Sequence, residues 1–490
     1  MSVFSDMLKN FIHEKDVKVG SLANYCKLER STVYKFINGK REPMSAELVD
    51  RIAHFLKLTP SETHRLQGAW KMARIGEDVY YIRKSVEHFL ADFPSSSITP
   101  PAPAFSYAST DFTELFPSNQ NSVLLNSRQS IDSSVHQLLL RESGKSNGQV
   151  ALFLQPDYSF LFSLLSSIHS SESLQIQHVF SLNRTTQFTN NHELYELYYL
   201  RNIIPVYMNG MDYHTYCFYA NDDSRFQSLT VFPCMILTSE FAVTCSADYQ
   251  MGIFFHDSAI LQALWKLFFS LRDQCLPLFQ TIPIATDSVH NVFQFLNNSQ
   301  SDDEYLIGIQ PEACLTPFLD EDILQNNFNH NLPHAADILS AAQNLFTRYA
   351  KNIADGKFII YFTEYGLIQF QKYGTFAEIP KNFYQPLTIP QRIHVLHEVL
   401  ECCHRGIYRI LKKPLNNLAQ NLHLCIRGRD GFLNYQTNSG ETICMAIYEP
   451  SMLQLFQDFL EHMDEDIYCT VDEAKKILTE LIQQLEVSVR

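Results

Sequence analysis

At 490 residues the chain is too long for one compact core, and a prior of roughly 100–200 residues per domain sets two to four domains. A composition that is 46% apolar and 19% charged, with 36 Phe and 24 Tyr, excludes a disordered chain and can furnish sizeable cores. A net charge of −15 would argue against a nucleic-acid partner if spread evenly, but residues 1–90 hold 15 Lys/Arg against 11 Asp/Glu while the rest hold 23 against 42. A modestly basic head on an acidic body fits a DNA-binding module carrying a domain that does not bind DNA. The N-terminus lacks a signal-peptide apolar core, and the most apolar run, Val150–Ile168, is broken by Gln155, Pro156 and Asp157. Eleven cysteines without CxxC pairs suit a reducing compartment, so the expectation is a cytoplasmic protein with no membrane partner.

In chain order, Met7, Leu8, Phe11 and Ile12 at helical spacing predict a first helix over about Phe4–Glu14. Ser21 is expected to cap a second, which runs through Leu22, Ala23 and Tyr25 to about Cys26. After a short turn, Ser31 is expected to cap a third, Thr32–Asn38, closed by Gly39 in the left-handed conformation. Pro43 and Ser45 open a fourth, Ala46–Leu56, with Leu48, Ile52, Phe55 and Leu56 on its buried face, and Thr59-Pro60-Ser61-Glu62 begins a fifth. Two short helices across a tight turn present the second as an exposed rod that can enter a major groove. On that rod Arg30, Ser31, Thr32, Tyr34 and Lys35 point outward, while Val33, Phe36 and Ile37 turn inward. Asn38, Lys40 and Arg41 follow its end, placed to meet phosphates.

The pairs Leu22-Ala23 and Asn38-Gly39, the run Ser31-Thr32-Val33, the basic pair Lys40-Arg41, Pro43 and the Leu-containing fourth helix carry a family resemblance. The stretch resembles the xenobiotic-response-element family of helix-turn-helix domains, which includes the phage Cro and repressor proteins, over roughly the first 70 residues. Ile37 departs from it, standing where the family usually carries Glu, so phosphate clamping there differs. By position, the resemblance implies Arg30, Ser31, Thr32, Tyr34 and Lys35 as readers of base edges, with Arg30 and Lys35 suited to guanine O6/N7. It implies Ser21, Asn38, Lys40 and Arg41 as phosphate contacts. Alone, Asn38-Gly39-Lys40 would read as a helix cap and a solvated loop; inside the whole pattern the DNA-binding reading prevails. Single domains of this family bind weakly, so double-stranded DNA and a homodimer are the implied partners.

The head is assigned to residues 1–75, a connecting helix to 76–93 and a Pro/Ser-rich linker to 94–104. The apolar spacing of Leu66, Trp70, Ile75, Val79, Ile82, Val86, Phe89 and Leu90 predicts helix through the connector, with Gly76 as an interruption. That segment reads equally as a dimerisation helix pair or as packing against the head. Beyond it the chain alternates strand-like and helix-like segments, a mixed α/β (α+β) region. Strands are predicted at 149–154, 174–182, 203–208, 215–220, 230–237, 241–246, 252–255, 357–362, 422–427, 431–435 and 442–448. Helices are predicted at 130–141, 158–168, 259–272, 335–350, 390–403, 451–462 and 472–485. Three strands followed by an apolar helix occur twice, ending in "FFHDSAILQALWKLF" and "IYEPSMLQLFQDFL". Either the body is two similar halves, 105–285 and 330–490 about a polar connector at 286–329, or a common order recurs by chance. Such paired sheets resemble phospholipase D-like domains that serve as effector modules in some regulators, but His-x-Lys occurs only at His13–Lys15, in the head.

Catalytic motifs do not emerge. Gly144-Lys145-Ser146 lacks the preceding glycine of a phosphate loop, since Leu139 stands there. Cys402-Cys403-His404 reads as a packed helix end, Asp302-Asp303-Glu304 as solvated loop, and His256-Asp257 as a helix start. The expectation is therefore a DNA-binding transcriptional regulator, not an enzyme, with no cofactor or metal. Its body would respond to a small-molecule or peptide effector; the competing reading makes the body an enzyme or interaction scaffold tethered to DNA.

Overall fold

A computed structural model describes residues 2–93, 121–168, 174–183, 187–189, 192–220, 232–283, 305–376, 379, 381–419, 422–436 and 442–489. The linker read at 94–104 and the acidic triplet at 302–304 lie outside them. The chain divides into two compact units, Met1–Ser85 with Asn190–Leu194, and Val86–Thr189 with Tyr195–Arg490.

The first unit is all helical: α1 (Val3–Glu14), α2 (Val19–Tyr25), α3 (Arg30–Ile37), α4 (Ala46–Phe55), α5 (Pro60–Ile75) and the start of α6 (Glu77–Ala91). Phe4, Leu8, Leu22, Ala23, Val33, Phe36, Val49, Ile52, Leu66 and Ala69 form its core. Ser45 caps α4, accepting from the Leu48 N–H, and Thr59 with Glu62 forms a capping box at α5, as expected. Two expected caps differ. The second helix begins at Val19, with Ser21 inside its first turn, because Val19, Leu22, Ala23 and Cys26 at i, i+3, i+4, i+7 all pack on the core. The third begins at Arg30, and Ser31 donates to the Glu29 carboxylate at 3.1 Å instead of capping.

Helices α1 to α4 end alike, in a left-handed residue whose N–H and successor's N–H return to the last turn. The left-handed residues are Asp16, Lys27, Gly39 and Lys57, with φ of 48°, 55°, 66° and 52°. After α3, Gly39 N–H donates to Phe36 O at 3.1 Å and Lys40 N–H to Lys35 O at 2.9 Å. Only one of the four positions is glycine. The helical stretch read through Leu66–Leu90 is two helices, α5 and α6, broken at Gly76 (φ 90°), and the connector is α6.

The second unit contains two mixed sheets. The first holds β1 (Ser122–Leu125), β2 (Gln149–Phe153), β3 (Gln175–Asn183), β4 (Asp212–Ala220), β5 (Cys234–Leu237), β6 (Ala242–Cys245), β7 (Gly252–Phe255) and β8 (Leu276–Pro277). The second holds β9 (Phe279–Pro283), β10 (Leu306–Ile309), β11 (Phe358–Phe362), β12 (Tyr408–Ile410), β13 (His423–Arg427), β14 (Asp430–Gln436) and β15 (Thr442–Ile447). Their orders are β1-β7-β6-β5-β2-β3-β4-β8 and β9-β15-β14-β13-β10-β11-β12. In the first, β2, β3 and β4 are parallel, β5 to β7 form an antiparallel meander, and β1 closes on β7. In the second, β10 to β12, β13 to β15 and β9 repeat every one of those pairings in the same sense. Strand β8 alone has no counterpart.

The parallel strands are joined by helices, as crossovers require. Around the first sheet lie α7 (Arg128–Ser143), α8 (Ser159–Ser167), α9 (Tyr195–Met208) and α10 (Ser258–Arg272), of which α8 and α9 join parallel strands. Around the second lie α11 (Glu321–Asn327), α12 (Ala335–Ala354), α13 (Glu364–Tyr373), α14 (Ile389–His404), α15 (Pro450–Glu461) and α16 (Val471–Val489), of which α11 to α14 join parallel strands. Three expectations are corrected. Residues 203–208 are the end of α9, since a short apolar run reads alike as strand or buried helix, and Ile203, Ile204, Val206 and Tyr207 are buried all round. Strand β9, inside the stretch assigned to the first half, pairs with β15 of the second sheet. Strand β10, inside the stretch read as a polar connector, lies between β11 and β13 and is buried throughout. No described helix is long and apolar enough to cross a membrane.

Candidate nucleic-acid interface

Helix α3 is held by Val33 and Phe36, each 1% exposed, against α1 and α2. Burial of those two side chains fixes the rotation of the helix. Ser31, Tyr34, Lys35 and Asn38 then form an outward stripe at i, i+3, i+4 and i+7, with Tyr34 47% exposed. Thr32 is half-buried beside that stripe. Among the described residues none pairs or hydrogen-bonds with the side chains of Tyr34, Lys35 or Lys40, so these groups can turn to an external ligand without breaking a contact.

Arg30 takes another direction. Its guanidinium lies over Gly20 in the first turn of α2, where an added Cβ would stand 3.1 Å from Nε and 3.2 Å from Cζ. A Cβ at this position would be tight against the guanidinium, which would have to give by a few tenths of an ångström. The structure thus gathers Arg30 and the exposed Ser21 at the start of α2, and Ser31, Tyr34 and Lys35 along α3.

The loop after α3 carries Lys40 and Arg41, both exposed. The buried indole N–H of Trp70, from α5, donates to Pro43 O at 2.9 Å. Ser2 donates to Glu42 Oε1 at 2.8 Å, and Arg41 Nη2 contacts Met44 Sδ at 3.2 Å. This bracing holds the loop that carries the two cations. Sequence spacing did not reveal the Trp70 brace, since 27 residues separate the partners.

Among the described residues, the motifs weighed in the body are engaged structurally. Lys145 pairs with Glu142 and Glu240, each at 3.0 Å. Asp257 accepts the N–H groups of Ala259 and Ile260 and caps α10. Burial pushes the Cys402 and Cys403 thiols up to about 12, which keeps both protonated at neutral pH.

Residues 7–63 match the model of the Cro/C1-type helix-turn-helix DNA-binding domain. The N-terminal region is thus a helix-turn-helix domain, with an α+β region following it. The chain is also similar to the crystal structure of a polyphosphate kinase from Porphyromonas gingivalis, at 12% identity and a TM-score of 0.23. That match covers 79% of this chain and 60% of the kinase, so the chain spans less than two thirds of that protein's length. No curated protein matches the chain.

Proposed function

We propose that this protein is a sequence-specific transcriptional regulator that binds operator DNA as a homodimer through its Cro/C1-type head and is controlled by its α+β body. The observation that carries the reading is the α3 stripe: a helix pinned by Val33 and Phe36 that leaves Ser31, Tyr34 and Lys35 outward. Those three side chains read base edges, with Lys35 donating to a guanine and Ser31 accepting or donating. Arg30, lying over Gly20, and Lys40 and Arg41, in the braced loop, meet phosphates on either side and set the register. The assignment of Arg30 to phosphate follows from its direction, away from the stripe. A body several times larger than the head, with acidic excess, supports control by an effector over simple repression. A cytoplasmic location is supported by eleven cysteines without CxxC pairs, which suit a reducing compartment.

The test is selection from randomised duplex DNA by the full-length protein, beside an Arg30→Ala/Lys35→Ala variant. Enrichment of a two-fold-symmetric site by the wild type, lost in the variant, is the expected result. Failure of the wild type to enrich any sequence would overturn the reading.

A further inference from the structure

The helical layer outside the second sheet contains a recess that no part of the DNA-binding reading uses. Helices α11 and α12 form two walls, and Phe376, Ile379 and residues 383–387 a third. Ile323, Ile338, Ala342, Phe346, Phe376 and Phe383 line it; its interior volume is about 50 Å³, or about 510 Å³ with the open solvent at its mouth included. That interior has room for several water-sized groups.

Its chemistry is narrow. The two polar side chains at the wall, Asn327 and Tyr384, are already engaged with the protein. Asn327 Nδ2 donates to Gln385 O and Pro386 O at 3.1 and 3.3 Å, and its Oδ1 accepts from Gln391 Nε2 at 2.9 Å. The Tyr384 hydroxyl accepts from the Phe376 N–H at 2.6 Å and donates to Phe376 O at 3.3 Å. Nothing on the wall can hold water, which needs two or more polar partners to settle in a cavity. Nothing there can reward a polar ligand atom either, since each would lose its hydration without replacement.

We infer that this recess binds the hydrocarbon end of a small ligand, whose polar end stays at the mouth. In a regulator this is the effector site, a step that rests on the proposed reading of the body as a sensor. Ala342, on α12, is the smallest side chain of the wall, so a larger one there takes up space in the recess.

The hydrocarbon can come from an acyl chain or from a ring, so two probes separate the sources: decanoate and N-phenyl-1-naphthylamine, each titrated into the full-length protein. Binding of at least one, weakened tenfold or more by Ala342→Phe with circular dichroism unchanged, is the expected result. Should Ala342→Phe not fold, Ala342→Leu fills part of the space and weakens binding by a smaller factor. No binding of either probe, or equal binding by wild type and a folded Ala342 variant, overturns the inference. Arg30→Ala/Lys35→Ala binds the probes as the wild type does, so loss of DNA binding and loss of the pocket are scored separately. A probe that binds but leaves operator affinity unchanged removes the sensor reading and leaves the pocket.

Discussion

Lys35 and Lys40 carry the same charge and are five residues apart, yet they face different chemistry. Lys35 stands on the α3 stripe, whereas Lys40 follows the left-handed Gly39 in the braced loop. Lys35→Ala should therefore relax preference at one base position and cost about 1–3 kcal/mol on the preferred site alone. Lys40→Ala and Arg30→Ala should weaken binding to all sequences alike and lower the salt slope by about one each. Equilibrium titrations on preferred and scrambled duplexes at several salt concentrations separate the two behaviours. In the body, one buried residue adds to the loss of stability in acid. His178 of β3 is fully buried; its Nε2–H donates to Leu154 O at 2.9 Å, and the Tyr213 hydroxyl donates to Nδ1 at 2.6 Å. Both bonds suit the neutral ring, and burial lowers its pKa from 6.5 to about 4. Between those values the unfolded chain binds a proton that the folded chain refuses. The stability held above pH 6.5 is thus lost as pH falls toward 4, by about 3 kcal/mol. Urea titrations at successive pH values should show that decline, and His178→Gln should make it shallower.

At the scale of elements, the head shows how a turn can be right in shape and strained in residue. Of the four left-handed helix ends, Gly39 adopts φ 66° without a Cβ, while Lys57 adopts φ 52° with one. A side chain in that conformation costs about 1 kcal/mol, and the return bonds of Lys57 and Leu58 to His54 and Ala53 outweigh it. Lys57→Gly should accordingly stabilise the head by up to about 1 kcal/mol. Denaturant unfolding followed at Trp70 in a Trp265→Phe background reads this directly; a lower midpoint would show that Lys57 makes a contact stronger than the strain. The same level explains which elements were legible. Amphipathic helices with a marked start, such as α4 behind Ser45 and α5 behind Thr59, could be read from the chain. Residues 203–208 could not, because a helix apolar on all sides has lost the period that identifies it.

For the whole molecule, two sheets with one strand order imply that each is a complete layer of the body. A carboxylate links them: Glu449, capping α15 after β15, accepts the N–H groups of Ser451 and Met452 at 3.1 and 2.6 Å and the hydroxyl of Tyr219 from β4. One part-buried polar contact, Tyr219 to Glu449, thus ties an element of the first sheet to the helix that follows the second. If a homodimer reads the operator, the selected half-sites should lie about 34–36 Å apart between centres, or a multiple of that turn. Removal of residues 105–490 should abolish the effector response. Full regulation retained without those residues would show the body dispensable for control.

How much of this was open to reading follows from range. The helix-turn-helix head is determined by contacts within a few tens of residues, and its pattern of Leu22-Ala23, Ser31-Thr32-Val33 and Asn38-Gly39 was legible in the sequence. So were most strands and helices of the body, through local periodicity. The placement of β9 and β10 was not, because pairing with β15 and β13 is decided across stretches of chain that carry no local signal. The direction of Arg30 needed α2 packed beside α3, with a glycine at the point of approach. The closed recess at Ala342 likewise required three separated segments to converge. Local physics determined the helix-turn-helix head and the α+β character of the body, and only tertiary packing decided which way each cation of the head points and where an apolar cavity remained.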